Sequence, residues 1–435
     1  MKNKNLAFLS LLALTTSCAV KKQSTQVSDN DVSRIIKTLT SDDMQGRGTF
    51  TPGIAKASSF IEKEFKNIGL EPLKGESGFA QSFTVTQIAP ASSEVIIDGS
   101  KIADGNVIVV SDQAGLDWNT DPSVEVQHIK AGETFFNRYR TITRSGKKTI
   151  VYVDESFSDA FKRIREYTIS GHIKQGPGNS GSSVFILGIN DAKSFRVNAT
   201  NKIEEKQLNN VAGMIPGKSK ASQIVVFSGH YDHLGIIKPV NGDSIANGAD
   251  DDASGVTAVI SLAKYYKALN NNERTLIFVA FTAEEIGGYG SHYFSEKLNP
   301  DSVTAMFNIE MIGKDSKFGK NTAFITGYEK SDFGQILQKN LEGTDFKFYP
   351  DPYPSQNLFY RSDNATLAAL GVPAHTISTD QIDVDKFYHT VDDEFETLDV
   401  QNIIATIKAI ALSSRSIVSG TDTPKRIPPL TDQKR

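Results

Sequence analysis

The chain has 435 residues, 39% of them hydrophobic and 23% charged, with a formal net charge of -4. That length exceeds what one hydrophobic core organises, so two or three domains are expected, and the composition is that of an ordinary soluble globular protein. The small charge imbalance argues against a nucleic-acid partner, the lone Cys18 excludes an intramolecular disulfide, and no stretch after residue 20 has the roughly 18 apolar residues of a membrane-spanning helix.

The first element in chain order is a targeting signal. Lys2 and Lys4 precede the short apolar stretch Leu6 to Leu14, and Thr16-Ser17-Cys18 closes it with small residues. Residues 1–18 resemble a bacterial lipoprotein signal, with Thr15 where leucine is usual. Cleavage there would leave a lipidated Cys18, followed by a polar tether over residues 19–30. The expected location is outside the cytoplasm: secreted, or in the cell envelope as a periplasmic or outer-membrane lipoprotein. Its only membrane contact would then be the lipid on Cys18.

Residues 31–84 form an N-terminal part of the main domain. Val32, Ile35, Ile36 and Leu39 stripe one helix, and Ala57, Phe60, Ile61, Phe65 and Ile68 stripe a second, stopped by Gly69. Gly46-Arg47-Gly48 and Pro52-Gly53 break the chain between them. Residues 85–205 change character, with short β-prone runs at Val107–Val110, Thr149–Val153 and Val184–Leu187 separated by turn clusters such as Gly176-Pro177-Gly178-Asn179. They read as an inserted, mostly β domain with one or two helices, in which His128 and His172 are ordinary residues rather than ligands. From 206 to 420 apolar strands at 224–227, 275–281, 305–309 and 374–377 alternate with helices over 256–269 and around Ile403–Ala411. This predicts an α/β fold, a central sheet with helices on both faces. Residues 421–435, with Pro424, Pro428 and Pro429, read as a loosely held tail.

Acids and histidines cluster where these strands end. His230 and Asp232 form an H-x-D pair two residues beyond Ser228; a neutral imidazole can bind zinc through one nitrogen while its other N–H needs an acceptor, for which Asp232 is the candidate. His233 competes with His230 as the ligand. Asp250-Asp251-Asp252 places three like charges in succession before Ser254-Gly255 opens a helix. Asp252 is placed to cap that helix, leaving Asp251 free to bridge two cations. Glu284-Glu285 leaves a strongly apolar strand. Adjacent side chains diverge, so one acid can bind metal while the other contacts a metal-bound water. Glu310 closes a further strand, and His389 lies in a polar loop with Asp392, Asp393 and Glu394 nearby. His292 and His375 read as a helix residue and a core residue. Sites gather at the carboxyl edge of the strands in open α/β sheets, so residues distant in sequence can converge there. The donor set suits zinc, with one acid left over as a base.

Taken together, these segments resemble the zinc exopeptidase family that includes secreted bacterial two-zinc aminopeptidases, glutamate carboxypeptidase and the transferrin receptor. The resemblance runs from Leu39-Thr40-Ser41-Asp42-Asp43-Met44-Gln45-Gly46-Arg47-Gly48 to His389. It is most specific in Asn247-Gly248-Ala249-Asp250-Asp251-Asp252-Ala253-Ser254-Gly255 followed by Ala283-Glu284-Glu285. It implies a mixed central sheet flanked by helices, and an inserted domain where relatives carry a protease-associated β domain, which this segment matches poorly. It also implies two zinc ions bridged by Asp251, one completed by Glu285 and His389, the other by His230 and Glu310, with Glu284 as general base. Two departures stand out: Glu310 occupies a position that is usually Asp, and Ser362-Asp363-Asn364 replaces a Ser-Asp-His stretch.

The implied activity is an aminopeptidase acting on peptides with a free N-terminus. The rivals are a carboxypeptidase or dipeptidase, which would need a cation such as Arg361 for the substrate carboxylate; a glutaminyl cyclase with one zinc; and a non-catalytic binding lipoprotein. A ligand type stands at every expected position, which favours an enzyme.

Overall fold

The computed structural model describes residues 26–178 and 181–430. The segment expected to be an export signal, Cys18, the first part of the expected tether and the end of the tail lie outside the described residues. Helix α1 (Asp29–Leu39) starts within the segment read as tether. Ser28 caps it through a hydrogen bond from the Asp31 N–H, and Asp29 and Asp31 place acids in its first turn, where the helix dipole favours them. It buries Val32, Ile35, Ile36 and Leu39. Helix α2 (Pro52–Ile68) begins on a proline and ends at Gly69, whose φ of 82° a side chain would disfavour.

After the short β1 (Glu71–Pro72) come β2 (Ala80–Ile97), β3 (Ser100–Lys101), β4 (Val107–Ser111), β5 (Gly115–Asn119), β6 (Glu125–Ile129), α3 (Phe135–Thr143), β7 (Lys148–Val153), α4 (Ser158–Ile169), β8 (His172–Lys174), β9 (Ser182–Leu187) and β10 (Phe195–Ile215). Strands β2 and β10 pair antiparallel from Ala80↔Val211 to Ile97↔Phe195. This long ribbon crosses both expected boundaries of the insertion, at 85 and 205, without a break. Beyond it, a four-stranded sheet runs β4-β9-β7-β6, with β6–β7 and β7–β9 parallel. Parallel neighbours need crossovers, which α3 and α4 provide. The helices cover one face through Phe135, Ile142 and Phe161, while Trp118, Val95 and Val197 cover the other. The insertion is thus mostly β with two helices, as expected, and those helices make the crossovers that its parallel pairs require. Its His172 is paired with Asp112 at 2.8 Å.

The remaining chain supplies β11 (Lys220–His230), the hairpin β12 (Gly235–Val240) and β13 (Asp243–Ala246), α5 (Gly255–Leu269), β14 (Arg274–Phe281), α6 (Tyr289–Lys297), β15 (Val303–Ile309), β16 (Thr322–Ile325), α7 (Phe333–Asn340), β17 (Lys347–Pro350), α8 (Asn364–Ala369), β18 (Ala374–Ser378) and α9 (Val400–Ser413). The main sheet runs β17-β16-β18-β15-β11-β14-β10-β2. Its central strands β14, β11, β15 and β18 are parallel, whereas β10 and β16 join antiparallel, so the sheet is mixed. Helices α1, α2, α5, α7 and α9 bury one face, and α6 and α8 the other. This is the expected α/β architecture. The parallel strands are continuous apolar runs, as strands buried on both faces must be.

The described part of the tail differs from the expectation. Arg274 donates to Asp422 O at 2.7 Å and Thr423 Oγ1 at 2.5 Å, Ile427 is buried, and the Ile427 and Leu430 N–H groups donate to Gly371 O and Ala369 O. Prolines here set the path of a pinned strap, because a buried guanidinium and two backbone carbonyls needed partners that the tail supplies.

His375 is buried in β18, where Nε2 meets Ser331 Oγ at 2.8 Å and Nδ1 meets Thr326 O at 2.8 Å. Burial holds its pKa down, to about 4, so it folds as neutral imidazole. The unfolded chain binds a proton near pH 6.5 and the native state does not. Stability from this group is therefore full above that pH and is lost as pH falls toward 4, by at most about 3 kcal/mol. Denaturant unfolding between pH 7 and 4.5 should show this slope, and His375→Gln should flatten it; an unchanged slope would refute the assignment.

Candidate metal centre

The carboxyl ends of three adjacent parallel strands deliver the acids and imidazoles. β11 ends at His230, β14 at Phe281 three residues before Glu284, and β15 at Ile309 immediately before Glu310. Asp251 comes from the loop that enters α5, and His389 from the loop between β18 and α9. The six side chains meet at one cleft, lined by Asp251, Glu284, Glu285, Glu310 and His389, with His230 behind it.

Asp251 is the hub. Its Oδ1 lies 3.1 Å from His230 Nε2 and its Oδ2 3.3 Å from His389 Nε2. His389 Nε2 is also 3.1 Å from Glu285 Oε2. His230 Nε2 is buried yet makes no aligned hydrogen bond. Two ligands of one tetrahedral zinc, each at about 2.0–2.1 Å, stand roughly 3.3 Å apart. The spacings therefore suit ligands converging on shared cations. Burial opposes ionisation of Asp251, but His230, His389 and His233 around it hold its carboxyl well below the ordinary range. Asp251 and Glu285 in turn raise His389 to about 10, against the opposing effect of burial. The acids thus impose a field that calls for positive charge.

His233 stands beside His230 in this group, and His233, Asp251 and Glu285 offer ligand atoms within 4.8 Å of one another. The His233 Nδ1 lies 2.7 Å from Glu285 Oε1 and 3.7 Å from Asp251 Oδ2. The shorter contact is a hydrogen bond that orients Glu285. The ring packs against Gly248, where an added Cβ would come 2.5 Å from its Cδ2. Asp232 differs from its expected role. The acceptor nearest His230 Nδ1 is the Asp232 carbonyl at 3.1 Å, whereas its carboxylate stands 3.8 Å away. That carboxylate instead accepts the Glu284 and Glu285 N–H groups at 3.1 and 3.2 Å, fixing the backbone of both acids. Asp252 accepts from Gly255 N at the start of α5, from Met311 N and from His230 N, so it caps the helix and ties three loops together. Asp250 accepts from Gly313 N at 2.7 Å and pairs with Lys314. Of the three adjacent acids, only Asp251 faces the cleft.

Glu284 also lines the cleft. Burial holds its carboxyl well above the ordinary range, with Glu310, Asp363 and Glu285 adding to the effect and His230 opposing it. Glu310 is likewise raised by burial. Ser362 accepts from Asn308 Nδ2 at 2.8 Å, while Asn364 donates to Phe359 O and Ala374 O, so the unusual asparagine is structural.

Sequence reading missed two residues. Arg47 is fully buried and spends all five guanidinium donors on carbonyls: Tyr231, Leu39, Asn247, Gly248 and Asp251, at 2.5–3.4 Å. Asp393 accepts the Asp250 and Asp251 N–H groups at 3.0–3.1 Å. The only signals for them were an arginine between two glycines and one acid in an acidic run.

Residues 210–413 match the family model described as Peptidase family M28. Over 111 residues the chain is 34% identical to a probable zinc metalloprotease of Pyrenophora tritici-repentis, covering 25% of this chain and 23% of that protein. It is 21% identical over 338 residues to aminopeptidase YwaD of Bacillus subtilis, covering 72% and 66%. The first of these matches thus spans about a quarter of the fungal relative's length. Among solved structures, an aminopeptidase from Aneurinibacillus sp. strain AM-1 superposes with a TM-score of 0.53 at 18% identity, covering 93% of this chain and 96% of that one. It shares the fold.

Replacing Arg47 by methionine removes a donor from each of five buried carbonyls, Gly248 O keeping the Ala253 N–H, and leaves the acids beneath them without that cation. Unfolding free energy should fall by about 3–5 kcal/mol, with Arg47→Lys intermediate because three donors cannot serve five acceptors. Denaturant midpoints measure this; a wild-type midpoint for Arg47→Met would show that the guanidinium is dispensable.

Proposed function

We propose, from the match of residues 210–413 to the model of peptidase family M28, that the chain is a zinc-dependent aminopeptidase that removes residues from the free N-terminus of peptides. The observation that carries the reading is the convergence of His230, Asp251, Glu285, Glu310 and His389 around one cleft, with Glu284 beside them. The names of the relatives, a zinc metalloprotease and an aminopeptidase, agree with it.

The donor set of two imidazoles and three carboxylates fits a zinc pair. His230 and Glu310 would hold one ion, Glu285 and His389 the other, with Asp251 shared. Bound zinc would supply a water that ionises near neutral pH and would polarise the scissile carbonyl. Glu284 serves as the base. Its backbone is held by Asp232, which positions it to take a proton from the attacking water and return it to the departing amine. His233 and the Asp232 carbonyl orient Glu285 and His230, so the ligands need not reorganise. The remaining acids of the cleft attract the substrate ammonium, which would distinguish an N-terminus from an internal peptide bond.

Glu284→Ala should retain bound zinc and lower kcat by about 10²–10⁴-fold. Near-normal turnover would remove the base assignment. Asp251→Ala should lose metal by elemental analysis, since both proposed ions depend on it; full zinc content in that variant refutes the bridging role. The wild type should cleave a dipeptide amide with a free amine and leave its N-acetylated twin intact; equal cleavage of both would overturn the aminopeptidase reading.

A further inference from the structure

The cleft that holds five carboxylates, Asp251, Glu284, Glu285, Glu310 and Asp380, also holds one arginine, Arg361. Among the described lining residues it is the only Lys or Arg. Its guanidinium is exposed and makes one long hydrogen bond, 3.5 Å to Gln356 Oε1. It forms no salt bridge with any of the five acids. Arginine presents a planar fork of donors that matches a carboxylate in a bidentate fashion, so an unpaired one on a cleft wall is a preformed anion dock.

The position of Arg361 is fixed by the same strand that carries Glu310. Its N–H closes a turn onto Leu358 O at 3.1 Å. The next residue, Ser362, accepts from Asn308 Nδ2 at 2.8 Å, and Asn308 lies two residues before Glu310 at the end of β15. Arg361 lines the same cleft as Tyr388, which stacks on His389 with ring centroids 3.9 Å apart. Arg361 therefore belongs to the same cleft as the candidate metal ligands rather than to a distant surface.

Its charge is the wrong sign for the substrate's ammonium group. On the aminopeptidase reading, on which this inference rests, a cation here weakens binding of every substrate unless the substrate brings an anion to meet it. We propose that Arg361 binds a carboxylate of the peptide substrate, so that the preferred substrates are short or acidic peptides. Two sources share this chemistry: the main-chain carboxylate of a dipeptide, and the side chain of an N-terminal Asp or Glu.

Steady-state kinetics on three substrates separates them: alanyl-alanine amide, alanyl-alanine as the free acid, and glutamyl-alanine amide. Each is measured with wild type, Arg361→Met and Arg361→Lys. Arg361→Met should raise KM about 10–100-fold for a carboxylate-bearing substrate, with kcat and all constants for alanyl-alanine amide within about 3-fold. Arg361→Lys should recover part of the loss. A loss confined to the free acid identifies the main-chain carboxylate, and a loss confined to the glutamyl substrate identifies the side chain. No change on any substrate, or the same loss on all three, overturns the proposal. Calorimetric binding of the same three peptides to Glu284→Ala, with and without Arg361→Met, keeps this proposal separate from the activity. If the wild type cleaves nothing but binding still depends on Arg361 and a carboxylate, the aminopeptidase reading fails and the dock stands. If the wild type cleaves free-amine peptides and binding ignores both, the dock fails and the aminopeptidase reading stands.

Discussion

Burying carboxylates beside one another raises the free energy of each, and this cost organises the loops at the carboxyl edge of the sheet. Asp232, Asp250, Asp251, Asp252 and Asp393 are all at most 4% exposed. Asp232, Asp250 and Asp252 accept backbone N–H groups from loops that would otherwise carry orphan donors. Lys314 adds a cation beside Asp250 and Asp385. Asp251 alone is met by imidazoles, whose nitrogens are the groups a metal would claim. Asp252 and Asp393 thus hold in place the loop that presents Asp251.

Arg47 works on the same loops from the other side. By gathering carbonyls from Leu39, Tyr231, Asn247, Gly248 and Asp251, it joins the N-terminal helical segment to both loops that frame the cleft. A lysine or a water could not bind all five at once, because only the guanidinium offers that many donors in a rigid plane. Its charge also lies beneath the acidic run. Desolvation lowers its own pKa, while Asp251, Asp393, Asp252 and Asp232 oppose that effect. Acids and arginine are therefore buried as one mutually compensating unit.

Backbone conformation completes the arrangement. Ala283, Met311 and His389 adopt φ values of 60°, 50° and 59°, a region that side chains disfavour, and each is a site residue or the neighbour of one. Such positions persist where the surroundings over-determine them and recur at functional sites. Here they turn the chain at strand ends so that Glu284 and Glu310 leave the sheet toward the same space. Asp232 and Asp252 hold those turns through the N–H groups they accept. The cleft walls are supplied by the loops around Leu358–Ser362 and Asp380–His389.

What could be read along the chain was local. Apolar runs such as 275–281 became parallel strands because a strand buried on both faces has no other way to satisfy its side chains. The stripes at Val32–Leu39 and Ile403–Ala411 became helices because their spacing matches one helical face. The acids and histidines at strand ends marked the site, since charge leaving an apolar strand has few structural uses. Sequence alone could not say which of three consecutive aspartates faces the cleft, that His233 orients Glu285, that Asp232 serves backbone N–H groups, or that the insertion pairs its strands in parallel. Nor could it show that Arg47 reaches Asn247 across 200 residues. Periodicity and composition report the partners a residue needs, whereas the particular partner is chosen by close packing among segments far apart in the chain, and that exists only once the whole sheet has formed.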